Sequence, residues 1–251
     1  MRNGYPILAA VMPAALLVWG AYDAALAVPA DGPETDRIVD QMIRRQESRF
    51  DGIGAFSRLQ RYSVTTDRFG LKAELVARVH RDLRQGKTYE VISRSGSEAI
   101  QNHVFKPLLE AEVETSHHAP ELLTREFYSF RLAGEAEFNG RRCYLLETKP
   151  KQREKRLLKG KLWLSKEDFG IVHVEGKPSE SLSFWVGKPM ILQDFTKIGD
   201  FWWAARRQSY IDNLWLGRAD LTIDYSDYRF EPRSAQDITE TATEPRADAT
   251  P

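Results

Sequence analysis

Several sets of residues have types and spacings that could do chemistry. His80-Arg-Asp-Leu83, Asp168-Phe-Gly170 and Ala119-Pro-Glu121 carry the residue types of a phosphoryl-transfer site. Such a site needs a metal-binding asparagine downstream of the first fragment, and Lys87 stands there. It also needs Asp-Phe-Gly before Ala-Pro-Glu, and the order here is reversed, with no glycine-rich phosphate loop anywhere. Asp168 and Gly170 read instead as residues of a hairpin loop. His117-His118 offers half a metal site, but adjacent loop residues make a poor pair of ligands for one ion, and His80, His103 and His173 are scattered. No Gly-x-Ser-x-Gly elbow is present for a serine hydrolase. Asp220, Asp224 and Asp227 lie close in sequence, and Asp220 and Asp224 share one strand face; they read as the wet side of a strand. Cys143 is the single cysteine, which excludes an intramolecular disulfide and reads as a small buried hydrophobe. The expectation is a protein that is not an enzyme, with no cofactor and no metal.

Composition narrows the class further. Lys plus Arg and Asp plus Glu number 36 each, so the net charge is zero. That gives no basic footprint for nucleic acid. A hydrophobic fraction of 42% with six tryptophans is enough for a real core. At the N-terminus, Arg2, the apolar run Ile7 to Trp19 and the small residues of Ala25-Leu26-Ala27 have the form of a secretory signal peptide. Cleavage is expected after Ala27, with Ala30 as second choice, and residues 1–27 as the signal. Residues 28–231 are expected to form one domain and residues 232–251 a disordered tail with no large apolar residue except Ile238.

The elements that must position any site follow from hydrophobic period. Pro33, with Glu34 and Asp36 near the positive end of the dipole, introduces a helix running to about Phe50. Its stripe of Ile38, Val39, Met42 and Ile43 needs a sheet to lie on. Phe56 to Thr66, Lys72 to Leu83 and Thr88 to Ser93 read as three strands. Ser97 to Thr115 returns to helical period through Ile100, Val104, Leu108 and Leu109, and Pro107 should bend or divide it. Phe127 to Phe138 and Arg142 to Thr148 are joined by Asn139-Gly140, a strong hairpin signal. A meander follows from Gly160 to Phe230, with Gly199-Asp200 as one of its turns. Of the 27 aromatic residues, 11 fall between Phe184 and Phe230, so this sheet must cover or hold something apolar.

Within that meander, Gly160-Lys-Leu-Trp-Leu-Ser-Lys-Glu-Asp-Phe-Gly-Ile-Val-His-Val-Glu-Gly176 resembles the strand-turn-strand of the LolA-like superfamily of outer-membrane lipoprotein-sorting proteins, which includes LolB and the RseB N-terminal domain. Arg61-Tyr62-Ser63, the stretch from Gly199 to Asn213 and the tyrosine-rich stretch from Leu221 to Pro232 extend the resemblance over roughly residues 36 to 232. It implies a mainly β (α+β) fold, an incomplete antiparallel β-barrel of about ten or eleven strands, with an N-terminal helix and a helical insertion covering the concave face.

The function the resemblance implies is that of a non-enzymatic periplasmic carrier or binder of lipoprotein acyl chains or lipids. A membrane-anchored transporter or acceptor is the expected protein partner, and nucleic acid is not expected. The alternative is an envelope-stress regulatory or scaffold module similar to RseB, binding a partner protein. By parity, Leu162, Leu164, Val172, Val174, Phe184, Val186, Ile191, Trp202, Tyr210 and Trp215 are the candidates for a hydrophobic concave wall. The loop from Lys149 to Lys161 holds seven basic residues and one acid, Glu154. Its Lys151, Arg153, Lys155 and Arg156 are candidates for contact with anionic headgroups or an acidic partner.

Overall fold

The computed structural model describes residues 32–82, 86–114, 123–182, 187–213 and 217–233. The signal-like segment, the His117-His118 loop, Phe184, Val186, Trp215 and the C-terminal tail lie outside these residues.

Alternating sequence produces two meanders. The first is β1 (Ile53–Thr66), β2 (Lys72–Asp82) and β3 (Gly86–Gly96). The second is β4 (Tyr128–Phe138), β5 (Arg141–Pro150), β6 (Leu158–Ser165), β7 (Ile171–Pro178), β8 (Met190–Ile198), β9 (Phe201–Asn213) and β10 (Gly217–Pro232). β1 pairs with β10, which joins them into one ten-stranded sheet of order β3-β2-β1-β10-β9-β8-β7-β6-β5-β4. Every described pairing is antiparallel. The sheet stays open at β3 and β4, so it is an incomplete barrel. Its turns use the expected chemistry: Asn139 and Gly140 take φ of 49° and 77°, the pair of left-handed residues a type I′ hairpin requires.

Helices cover one face of this sheet. In α1 (Pro33–Ser48), Pro33 lies in the first turn with Glu34 and Asp36, and Ile38, Val39 and Met42 are fully buried. Each such side chain contributes roughly 1.5–3 kcal/mol by leaving water, which a helix this short needs in order to persist. The insertion is α2 (Glu98–Ile100), a π-helical segment Gln101–Phe105, and α3 (Lys106–Glu114). The widened turn ends two residues before Pro107, whose ring would clash with the carbonyl four residues back in a regular helix. Pro107 thus divides the insertion, as its position in the sequence predicts.

Two apolar clusters lie side by side on the concave face. One packs α1 on Tyr128, Phe130, Leu132, Leu146, Leu162, Leu164, Ile171 and Val174. The other packs Ile100, Phe105 and Leu109 of the insertion on Tyr62, Val64, Leu75, Leu221 and Ile223. Register links them across the sheet, since Tyr62 opposes Ile223, Ile223 opposes Arg207, Arg207 opposes Gln193 and Gln193 opposes Val174. Each helical piece closes its own half.

The convex face is held by charge. His173 Nδ1 meets Asp194 at 2.6 Å, Arg206 bonds Asp224 at 2.6 Å, and Arg61 bonds Glu74 at 2.7 Å. Asp194 opposes Arg206 and Arg61 opposes Asp224, so the pairs form one ladder across six strands, β7 to β2. The exposed pairs Arg206–Asp224 and Arg61–Glu74 contribute only about 0.2–1 kcal/mol each, and with the contact of buried His173 to Asp194 they favour this register over its neighbours. Asp224 belongs to this wet ladder, and Asp227 pairs with Arg78 at 2.7 Å.

Gly160 and Gly176 oppose each other on β6 and β7. A Cβ at Gly160 would lie 1.9 Å from the Glu175 carbonyl oxygen, and one at Gly176 2.7 Å from that of Lys159. The close approach of the two backbones, on the concave row that carries Phe130 and Thr148, therefore requires glycine. Gly160→Ala should lower stability by about 1–3 kcal/mol in urea titration, while Gly140→Asn, in open space, should cost less than about 1 kcal/mol.

Candidate functional site

The concave face also carries polar groups, on β8 and β9 between the two apolar halves and on β1, β3 and β10 beside the insertion. Gln60 on β1 and Tyr225 on β10 oppose each other, one step along from the row holding Tyr62, Arg207 and Gln193. Alternation from β1 also brings Arg58 to this side, where its guanidinium lies 4.7 Å from the Tyr225 ring centroid. Gln60 is 1% exposed and bonds the Tyr62 hydroxyl. With its amide nitrogen turned to that hydroxyl, its oxygen accepts from Arg58 Nε at 2.9 Å and Nη2 at 3.0 Å. On the adjoining strands, Arg207 Nε donates to Gln193 Oε1 at 2.8 Å, and Gln193 Nε2 donates to the Arg206 carbonyl at 3.0 Å.

The helical cover supplies an anion to the group on β1 and β3. Glu112, on α3, accepts from Arg58 Nη2 and from Lys87 Nζ, both at 3.2 Å. Lys87 comes from β3 and is 8% exposed, a burial that an ammonium tolerates only beside a counter-charge. Burial pushes the Tyr62 hydroxyl far above its ordinary range; Glu112 and Tyr225 push the same way, against Arg58 and Arg207. Tyr62 is therefore a neutral hydroxyl in this site and has no use as a base. The arrangement can bind and orient charge. Among the described residues no group of three His, Cys, Asp or Glu side chains converges on a point where a metal could sit.

A second feature lies at the C-terminal end of α1. A cavity of about 100 Å³ is lined by Arg45, Phe169, Ile171, Val174, Phe195 and Trp202, among others. It falls below the roughly 300 Å³ at which small-molecule pockets begin. Beside it, Asp168 accepts from Lys197 Nζ at 2.8 Å and from Trp202 Nε1 at 3.1 Å, and Arg45 lies 3.8 Å away. Trp202 lies against Gly170, where a Cβ would meet its ring at 2.1 Å. The β6–β7 loop thus ties α1 to the β8–β9 hairpin.

The expected wall residues divide. Leu162, Leu164 and Val174 lie on the concave face, buried under α1. Ile191 opposes Gly176 and Ser209 on the same face and is half-buried. Val172 joins Cys143 and Trp202 in a third cluster, displaced from its neighbours by a bulge at the Trp163/Leu164 step. Tyr210 lies on the convex face, opposite Asp220 and under the Arg218 guanidinium at 5.2 Å, so it is no part of the concave wall. In the basic loop, Lys151 Nζ donates to the Arg125 carbonyl at 2.5 Å, Arg156 pairs with Glu154, and Arg153 and Lys155 are exposed. Arg58, Gln60, Lys87, Glu112, Gln193 and Arg207 were not anticipated. The one available signal was parity with Tyr62 and Val64 along β1.

No protein-family model matches the chain, and no characterised protein matches its sequence. Among solved structures it is similar to a DUF1329 family protein from Desulfovibrio piger, at 14% identity and a TM-score of 0.45, covering 84% of this chain and 99% of that one. A LolA superfamily protein from Nitrosomonas europaea gives 13% identity and a TM-score of 0.42, with 80% and 96% covered. A putative outer membrane lipoprotein-sorting protein domain from Vibrio parahaemolyticus gives 12% identity and a TM-score of 0.41, with 80% and 96% covered. The LolA superfamily to which the sequence shows a resemblance is thus among the names these similar structures carry.

Asp168 provides a pH test of the tie at α1. Burial alone would raise its carboxyl pKa, but hydrogen bonds from Lys197, the Gly170 amide, Trp202 and Ser165 outweigh it and hold the group below the ordinary range. A depressed folded-state pKa gives stability that is present above the unfolded value and is lost as pH falls through the folded one. Asp168→Asn should therefore lower stability at pH 7 by about 1–3 kcal/mol. The gap between wild type and variant in urea titrations should close as pH drops below about 4.

Proposed function

We propose that this chain is a non-enzymatic binder of acyl chains or lipids, acting in the periplasm, whose two helical covers move off the concave wall to admit the cargo. The observation that carries this reading is the division of the apolar concave face into two clusters, each closed by a separate helical piece. A face filled for structural reasons alone has no need of two independent covers. The roughly 100 Å³ cavity beside α1 is too small for an acyl chain, so the described form is the closed one. Loading then exchanges the contacts of Phe105 and Leu109, or of Ile38 and Met42, for contacts with the cargo, and the apolar area withdrawn from water stays nearly constant. The basic loop, with Arg153 and Lys155 exposed, would lie against anionic headgroups or an acidic acceptor when cargo is passed on.

Protein purified from its native envelope should carry lipid detectable by mass spectrometry after extraction. Ile191 is half-buried on the wall, so Ile191→Glu should reduce loading several-fold while leaving the circular dichroism melt within a few degrees of wild type. A wild-type protein that is always empty, and that fails to bind a fluorescent apolar probe, would contradict the reading. A stable membrane protein that co-purifies with the empty chain would favour the scaffold alternative.

A further inference from the structure

We propose that one end of the sheet is a docking face for an anionic bilayer, with the tip of the β1–β2 hairpin entering the headgroup layer and the basic β5–β6 loop lying on its surface. The loop's contact with headgroups belongs to the proposed function. The apolar tip, and the orientation it sets, go beyond that function and do not depend on what the concave wall holds.

The tip joins Thr66 to Lys72 and is braced from both sides. The Thr66 amide donates to the Leu71 carbonyl at 3.0 Å, and the Leu71 amide donates to Thr66 Oγ1 at 3.1 Å. Asp67 exchanges two bonds with the backbone of Arg218 on β10, its amide donating at 3.0 Å and its carboxylate accepting at 2.8 Å. Gly70 takes a φ of 58°, a left-handed conformation that lets the chain turn back. On this turn Phe69 is 59% exposed and Leu71 is 37% exposed, which makes Phe69 the most exposed large apolar side chain among the described residues. A single apolar residue on a surface is ordinary. Two of them held out on a braced turn are ready to enter an apolar layer with little ordering cost, because the backbone that carries them is already fixed.

Register puts the tip and the basic loop on the same end of the sheet. Thr66 opposes Ala219 near the start of β10, Tyr210 near the end of β9 opposes Met190 at the start of β8, and Pro178 at the end of β7 opposes Leu158 at the start of β6. Five steps separate β1 from β6 in the sheet order, about 24 Å along the arc at the usual strand spacing. The acids within the two turns are engaged, Asp67 by the Arg218 amide and Glu154 by Arg156 Nε at 2.6 Å. Arg153 and Lys155 are exposed and give this end its positive charge. A curved sheet standing on this rim meets a flat surface at both places. Aromatic rings settle at headgroup depth and basic side chains lie against the anionic groups above them. The apolar tip and the charged loop therefore match two layers of one surface, a combination that a bilayer offers and a soluble acidic chain does not.

Co-sedimentation of the full chain with phosphatidylcholine vesicles, with and without phosphatidylglycerol, tests the docking face. Wild type should bind the anionic vesicles more tightly than the neutral ones by about tenfold or more. Arg153→Gln together with Lys155→Gln should remove most of that preference, and Phe69→Ser should weaken binding to the anionic vesicles by about tenfold. All three side chains are exposed, so circular dichroism melts should stay within a few degrees of wild type. Because Cys143 is fully buried, a polarity-sensitive thiol dye attached through Leu71→Cys or Glu167→Cys reports on each end of the sheet separately. The dye at position 71 should shift to the blue on anionic vesicles, and the dye at position 167, in the β6–β7 turn at the other end, should not. Absence of vesicle binding, binding indifferent to Phe69→Ser, or equal dye shifts at both ends would overturn the docking face, whatever lipid the purified protein carries. Binding of soluble polyglutamate as tight as that of anionic vesicles would assign the basic loop to an acidic protein and would also overturn it.

Discussion

An open antiparallel sheet of ten strands presents more apolar concave surface than one helix can cover, and this constraint governs the molecule. The sheet splits the task. Residues of β4 to β7 form one apolar field under α1, and residues of β10, β1 and β2 form another under the insertion. Among the described residues neither cover bonds to the sheet through backbone ladders. They are held by side-chain burial and by a few polar anchors, such as the Leu123 amide on Gln46 and the Arg58 and Lys87 contacts of Glu112. Contacts of this kind can be exchanged for those of a ligand with comparable apolar area, whereas a ladder of strand hydrogen bonds cannot.

The two faces of the sheet divide the work of stability and function. The convex ladder from buried His173 through Asp194, Arg206, Asp224 and Arg61 to Glu74 favours one register across six strands. Gly160 and Gly176 let β6 and β7 approach where side chains would collide. Asp168 then fastens the β6–β7 loop to Trp202 and Lys197. These features make the wall rigid independently of its covers. A rigid wall with separable covers is the form expected of a binding protein, since the site keeps its shape when it opens.

Much of the architecture was legible in the chain because period and turn chemistry agree. Asn139-Gly140 and Gly199-Asp200 mark their hairpins because each turn needs left-handed backbone, and both hairpins form where those pairs stand. The concave list was harder. The bulges at Trp163/Leu164 and at Asp194/Phe195 shift the phase of alternation, so parity counted across them cannot place Val172 or Tyr210. The polar nest was hidden for a different reason. Arg58 and Gln60 alternate with Leu59 and Arg61 and read as an ordinary wet strand; only pairing with Glu112, 52 residues beyond Gln60 in the chain, turns them into an interior site. Lys87 carries no sequence signal of burial at all.

The central claim is that the covers open and the wall does not. Hydrogen–deuterium exchange read by mass spectrometry on the full chain, with and without saturating oleate, tests it most directly. The account predicts that amides of Pro33–Ser48 and Glu98–Glu114 exchange far faster than those of β5, β6 and β9 in the free protein, and that oleate changes protection in the insertion while leaving those strands unaltered. Equal, ligand-independent protection of covers and strands would show one fixed core and contradict it.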